Sequence, residues 1–136
     1  MKNELNFRSL TEEDYEIICD WWRWWRWPAI PREMLPDNGK SGFIVEKNNT
    51  PIVSCFLFKT NSTWVKLEWI VSNPQYREED RQEAIELLIN GVEDVCKKMG
   101  IKHMFSVGKN KHLLDTHEKL GWLVDKQPSY EIIKNL

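Results

Sequence analysis

With 136 residues, 41% of them hydrophobic and 29% charged, the chain has the size and mix of one ordinary globular domain. A formal net charge of −2 gives no global pull towards nucleic acid or anionic membrane. No apolar run reaches membrane-spanning length and the start has no signal-peptide core, so a cytoplasmic protein is expected. Cys19, Cys55 and Cys96 are odd in number and far apart, which predicts buried thiols with neither a disulfide frame nor a metal site.

Residues 6–10 read as a short strand. Thr11 then opens a helix over 12–25, in the outline of a capping box that ends on Asp14. Tyr15, Ile18, Cys19, Trp22 and Trp25 recur at three- and four-residue steps, the stripe of a packed helix face. Trp21, Trp24 and Trp27 cannot share that stripe. Pro28, Pro31 and Pro36 make the next segment stiff and irregular, with room for one helical turn around Arg32. Strands over 41–46 and 52–60 flank a hairpin turn, and a second turn leads into a strand over 64–72, so three strands form an antiparallel meander.

In that third strand Val65, Leu67, Trp69 and Val71 alternate with Lys66, Glu68, Ile70 and Ser72. Pro74 breaks it, and a helix over 83–99 follows with Ala84, Ile85, Leu88, Val92, Val95, Cys96 and Met99 on one face. Lys97, Lys98 and Gly100 suit its C-terminal end. A strand running straight into a helix leaves free backbone N–H groups at the junction, which is a ready anion site. A strand over 101–107, a helix over 110–120 ended by Gly121, and closing strands over 122–124 and 130–133 complete the chain. The order β-α-α-β-β-β-α-β-α-β-β predicts an α+β (mixed α/β) domain spanning residues 1–136. It is built on one twisted, mostly antiparallel sheet flanked by helices.

This order, with the residues at the central junction, resembles the GNAT superfamily of acyl-CoA-dependent N-acyltransferases, and in flavour its small phage-type members. The family's cofactor turn reads roughly Val-x-Pro-x-x-Arg-Gly-x-Gly-x-Gly/Ala. Here Pro74, Tyr76 and Arg77 are in place, but Glu78, Asp80 and Gln82 stand at the three glycine positions, interleaved with Glu79 and Arg81. Glycines would let the backbone close on a pyrophosphate. An inward carboxylate would oppose it by about 4 kcal/mol at about 4 Å and an effective dielectric of about 20. Turned outward, the same acids sit on a helix's first turn, where negative charge is favoured. Arg77 and Arg81 remain to supply positive charge. The family's second motif, an Asn followed at seven residues by Tyr-Glu-Lys-Leu-Gly-Phe, is present as Asn110 and His117-Glu118-Lys119-Leu120-Gly121-Trp122.

The resemblance implies acetyl-CoA, or another acyl-CoA, as co-substrate and an amine as acceptor, whether a small molecule or a protein. Glu68 is the candidate base, against a plain surface carboxylate paired with a lysine. His117 stands where the family has the tyrosine that protonates the departing thiolate, against an idle helical histidine. Ile70 and Ser72 would offer backbone groups to the pantetheine arm, and Asn110 would bond it or simply cap its helix. The cofactor turn comprises Arg77, Glu78, Glu79, Asp80, Arg81 and Gln82. In such folds the first helices wall the acceptor pocket, which assigns Trp21, Trp24, Arg26 and Trp27 to a substrate or partner. Aromatic rings interleaved with arginines suit stacking and interfaces. Dimers are frequent in the family, and spare tryptophans suit a homodimer interface.

Two readings follow. One is an N-acyltransferase moving an acetyl or short acyl group to an amine. The other is a GNAT-like module without cofactor, binding a partner or ligand through its tryptophans. A nucleic-acid binder gains from the Trp/Arg run but loses from the acidic balance.

Overall fold

A computed structural model of the chain describes residues 4–127 and 129–136. The elements are β1 (Leu5–Ser9), α1 (Asp14–Trp24), two 3₁₀ turns (Arg32–Met34 and Pro36–Gly39), β2 (Gly42–Lys47), β3 (Thr50–Lys59), β4 (Trp64–Ser72), α2 (Arg81–Lys98), β5 (His103–Ser106) and α3 (Lys111–Lys119). The five strands lie in chain order in one sheet, antiparallel except for the β4–β5 pair. That parallel pair requires a crossover, and α2 supplies it. The α+β class expected from the sequence is the one observed.

The meander follows from local chemistry. Asn48 and Asn49 both take positive φ, as the two-residue turn between β2 and β3 demands. At Gly42 an added Cβ would lie 2.2 Å from the Cys55 carbonyl oxygen and 2.8 Å from Leu10 Cδ1. Gly42→Ala is therefore expected to force β2 from β3 and cost about 1–3 kcal/mol, measured by denaturant unfolding.

Each sheet face is covered separately. Val45, Val53, Cys55, Leu57, Val65 and Leu67 meet the buried stripe of α2. Ile44, Phe56 and Val71 meet Ile18, Cys19, Trp21 and Trp22 of α1. The start of α1 is held by Asp14. Its carboxylate accepts from the Thr11 N–H at 2.7 Å, in the capping-box sense, and from two Arg8 nitrogens at 2.9 and 3.0 Å.

Five expectations are corrected. Regular α1 begins at Asp14 and ends at Trp24, so the core takes Trp21 and Trp22, while Trp25 falls past the last turn. Two 3₁₀ turns replace a second helix, because three prolines cannot sustain one. Met99 caps α2 and is exposed rather than packed. Strict alternation in β4 fails at Trp69, as described below. No strand forms at 122–124 or 130–133; Leu123, Tyr130 and Ile132 are 98%, 90% and 96% exposed. A strand needs both a partner and a face to bury. Residues 130–133 have neither, while Trp122 packs against the α2-side core and meets the His117 ring edge-on at 4.8 Å.

Candidate active site

The bulge in β4 creates the site. Trp69 has φ 57, a left-handed backbone that side chains rarely adopt, and the β3–β4 register slips between Ser54 and Phe56. The extra residue sends Ile70 to the α2 face, while Trp69 and Val71 join the α1 face. β4 pairs with β5 only from Trp64 to Leu67 and β5 ends at Ser106, so past the bulge no described strand pairs with that edge of β4. The Asn73 N–H bonds back to the Ile52 carbonyl at 2.7 Å. By alternation, the backbone groups of Ile70 and Ser72 then point away from β3, into the opening between β4 and β5. An extended amide chain can add to such an edge. The Ser72 carbonyl is already used: the Trp25 indole Nε1 donates to it at 2.9 Å.

The turn from β4 to α2 is folded by its own side chains. Asn73 Oδ1 accepts from the Gln75 N–H at 2.9 Å, and Arg77 Nε donates to the Pro74 carbonyl at 2.8 Å. Of the acids at the turn, Asp80 is withdrawn: Lys47 Nζ donates to it at 2.7 Å and the Tyr76 hydroxyl at 2.5 Å. The Lys47 hydrogen bond, aided by that of Tyr76, holds the Asp80 carboxyl below the usual range, so it is ionised and already paired. Glu78 and Glu79 are exposed. Gln82 is engaged with the last helix. Its Nε2 donates to Glu86 at 2.9 Å and Thr116 Oγ1 at 3.1 Å, and its Oε1 lies 2.6 Å from His112 Nε2. None of the three residues at the glycine positions therefore has to point a side chain into the turn. Arg81 opens α2 and is half-buried.

Glu68 lies opposite Phe56 and so on the α1 face, one residue before the bulge. Its Oε2 is 3.8 Å from Lys66 Nζ, and its Oε1 is buried without a hydrogen-bond partner among the described residues. Burial pushes its pKa up, against the pull of Lys66 and the Val107 N–H, and Glu131 of the C-terminal segment adds to the rise. A half-buried carboxylate with raised pKa and one free oxygen is suited to taking a proton.

His117 packs on the opposite face. Its Nδ1–H donates to the Leu113 carbonyl at 2.8 Å, which leaves the buried Nε2 carrying its lone pair, with no hydrogen-bond partner among the described residues. Burial lowers its pKa, the Leu113 bond only partly opposing this. Asn110 caps α3, its Oδ1 accepting from the Leu113 N–H at 3.1 Å.

The tryptophan run divides. Trp21 and Trp22 are buried, whereas Trp24, Trp25 and Trp27 are 49%, 39% and 44% exposed. Trp22 meets Trp69 edge-on at 6.5 Å, Trp24 meets Trp25 edge-on at 4.8 Å, and the Arg77 guanidinium stands 5.9 Å from the Trp24 ring centre. Sequence reasoning missed the bulge, the Trp25–Ser72 bond and the Lys47–Asp80–Tyr76 group. No glycine marks the bulge, and the other two join residues far apart in the chain. Among the described residues no cluster could hold a metal, and no helix is long and apolar enough to cross a membrane.

No protein-family model matches the chain, and no curated protein matches its sequence. Solved structures do match. N-acetylglutamate synthase from Neisseria gonorrhoeae, complexed with coenzyme A and L-arginine, superposes with TM-score 0.73 at 16% identity over 94% of this chain. This chain spans only 30% of that synthase. An aminoglycoside acetyltransferase from an uncultured soil metagenomic sample, in complex with trehalose, gives TM-score 0.69 at 12% identity over 99% of both chains. An acetyltransferase from Trypanosoma brucei gives 0.68 at 16% identity over 96% of this chain and 100% of its own. At such identities the likeness is one of architecture: an open, mostly antiparallel five-stranded sheet with three helices, the GNAT fold.

Proposed function

We propose that the protein is an acyl-CoA-dependent N-acyltransferase moving an acetyl or short acyl group to an amine. The observation that carries the reading is the β4 edge left unpaired beyond Leu67. It offers the backbone of Ile70 and the N–H of Ser72 to an extended amide arm, and ends at an α2 N-terminus whose nearest acid, Asp80, is already neutralised by Lys47. The residues present fit the group. Arg77 and Arg81 supply the cations at the turn, and Asn110 caps the helix beside the other wall of the cleft. When bound, acyl-CoA would supply a thioester carbonyl and a thiol leaving group.

Glu68 accepts the proton of the incoming amine, directly or through water. Its buried Oε1 has an unused acceptor site and its raised pKa makes the carboxylate basic enough to use it. His117 is the acid for the departing sulfur. With Nδ1–H committed to Leu113, only Nε2 can deliver that proton, and it must first become imidazolium, which burial opposes. Replacement of His117 by phenylalanine accordingly weakens turnover less than replacement of Glu68.

The test is acetyl-CoA binding by calorimetry, on the wild type and on Arg77→Ala. Micromolar affinity that Arg77→Ala weakens about ten-fold supports a pyrophosphate at the turn. Absence of binding at millimolar acetyl-CoA overturns the reading, and the fold is then an interaction module whose contact surface is the exposed tryptophans.

A further inference from the structure

We propose that the exposed end of α1, Trp24 above all, is a stacking platform for the purine ring of the acyl-CoA nucleotide. The inference rests on the cofactor reading above and moves this part of the tryptophan run away from the acceptor pocket that the sequence suggests for it.

Position is the first argument. α1 runs along β4 so that Trp22 packs on Trp69 at the bulge, while Trp25 bonds the Ser72 carbonyl at the strand's last residue. The exposed rings therefore stand at the end of the cleft where β4 turns into α2, past the Glu68 end. In coenzyme A the purine nucleotide follows the pyrophosphate directly. A pyrophosphate on the α2 N-terminus places the purine just outside the turn, beside these rings.

Geometry and charge agree. Trp24 is braced edge-on by Trp25, which is itself fixed through Ser72, so an indole face is held in place and remains half-exposed. Arg77, on the turn itself, reaches to 5.9 Å from the Trp24 ring centre, near the outer limit of about 6 Å for a cation–π contact. At that distance the guanidinium is not packed onto the indole, and it stands on the turn that a nucleotide phosphate would pass. Every base has a π-face, so an indole beside a guanidinium binds a purine without needing glycines in the backbone.

The end of the helix is closed by its own backbone. Two residues past the end of α1, Arg26 takes φ 65 at the position where glycine is the usual residue. Its N–H bonds the Arg23 carbonyl at 3.0 Å, and the Trp27 N–H bonds the Trp22 carbonyl at 2.8 Å. These two bonds are the ordinary left-handed closure of a helix C-terminus, and they fix the backbone that carries Trp24 and Trp25.

The experiment compares acetyl-CoA with S-acetylpantetheine, which lacks both the pyrophosphate and the nucleotide, by titration of wild type, Trp24→Ala and Trp24→Phe. The phenylalanine variant separates loss of a stacking ring from loss of phosphate binding. Trp24→Ala is expected to bind acetyl-CoA about ten-fold more weakly, with acetylpantetheine affinity unchanged and Trp24→Phe retaining most of the acetyl-CoA affinity. Equal weakening towards both ligands, or no weakening towards either, in a wild type that binds acetyl-CoA overturns the platform alone. A wild type that binds neither ligand overturns the platform together with the cofactor reading.

Discussion

Replacing Glu68 by glutamine is expected to lower kcat/KM about 10²–10⁴-fold, the range for loss of a general base. The loss is one of chemistry and not of folding, and the sign of the pKa shift separates the two. Burial raises the Glu68 pKa in the folded chain. The stability this group contributes is then fully present below its unfolded pKa and is lost as pH rises through the higher folded value. At neutral pH the ionised carboxylate is a burden on the fold, so the amide variant should unfold no more readily than the wild type. In the wild type, kcat/KM rises with pH as the carboxylate loses its proton, over a range displaced upward from that of an ordinary glutamate. In the variant that rising limb disappears. Full acetyl transfer by Glu68→Gln, measured by thiol release, would remove Glu68 from the mechanism.

Asp14→Asn is expected to have the largest effect on stability, about 3 kcal/mol, because it leaves Arg8 and the start of α1 short of a buried ionised partner. For a chain of this size that corresponds to a fall of roughly 10 °C in unfolding midpoint. Burial alone would raise the Asp14 pKa. The bonds from Arg8 and Thr11 outweigh it and hold the carboxyl below the usual aspartate range. The sign is the reverse of that for Glu68: this contribution is present above the unfolded pKa of about 3.9 and lost as pH falls through the lower folded value. Denaturant unfolding between neutral and strongly acidic pH should show a steeper acid loss in the wild type than in the variant. Parallel curves would show that Asp14 is not the group responsible. Glu46 shares Arg8 at 3.0 Å, so part of the cation's pairing survives the substitution.

Both predictions concern residues whose importance had very different visibility in the chain. Asp14 stands three residues after Thr11, and that local spacing was enough to expect a helix start, because a cap is made by neighbours. The meander, the crossover helix and the stripe of Ala84, Ile85, Leu88 and Val92 were legible for the same reason. Period and turn chemistry are properties of short segments, and the fold class follows from their order. Glu68 could be picked out from its place on the central strand. Its half-burial, and an Oε1 with no hydrogen-bond partner among the described residues, could not be read there.

Tertiary structure decided the rest. Trp69 adopts a left-handed backbone although nothing local favours it, since the bulge is settled by how β3 and β4 must register while both faces are covered. That single extra residue reverses the facing of Ile70 and opens the cleft. Which tryptophans are buried was decided likewise. Helical spacing favours Trp22 and Trp25, but α1 ends at Trp24, and Trp25 turns to bond Ser72 across 47 positions of sequence. The acids at the glycine positions could point either way until Lys47 and Gln82's partners on α3 were brought to them. Tyr130, Ile132 and Ile133 have the aromatic and β-branched character of a strand, but pairing needs an edge that reaches them, and β5 stops at Ser106. Local periodicity therefore determined the elements and their order. Long-range register and packing determined the site.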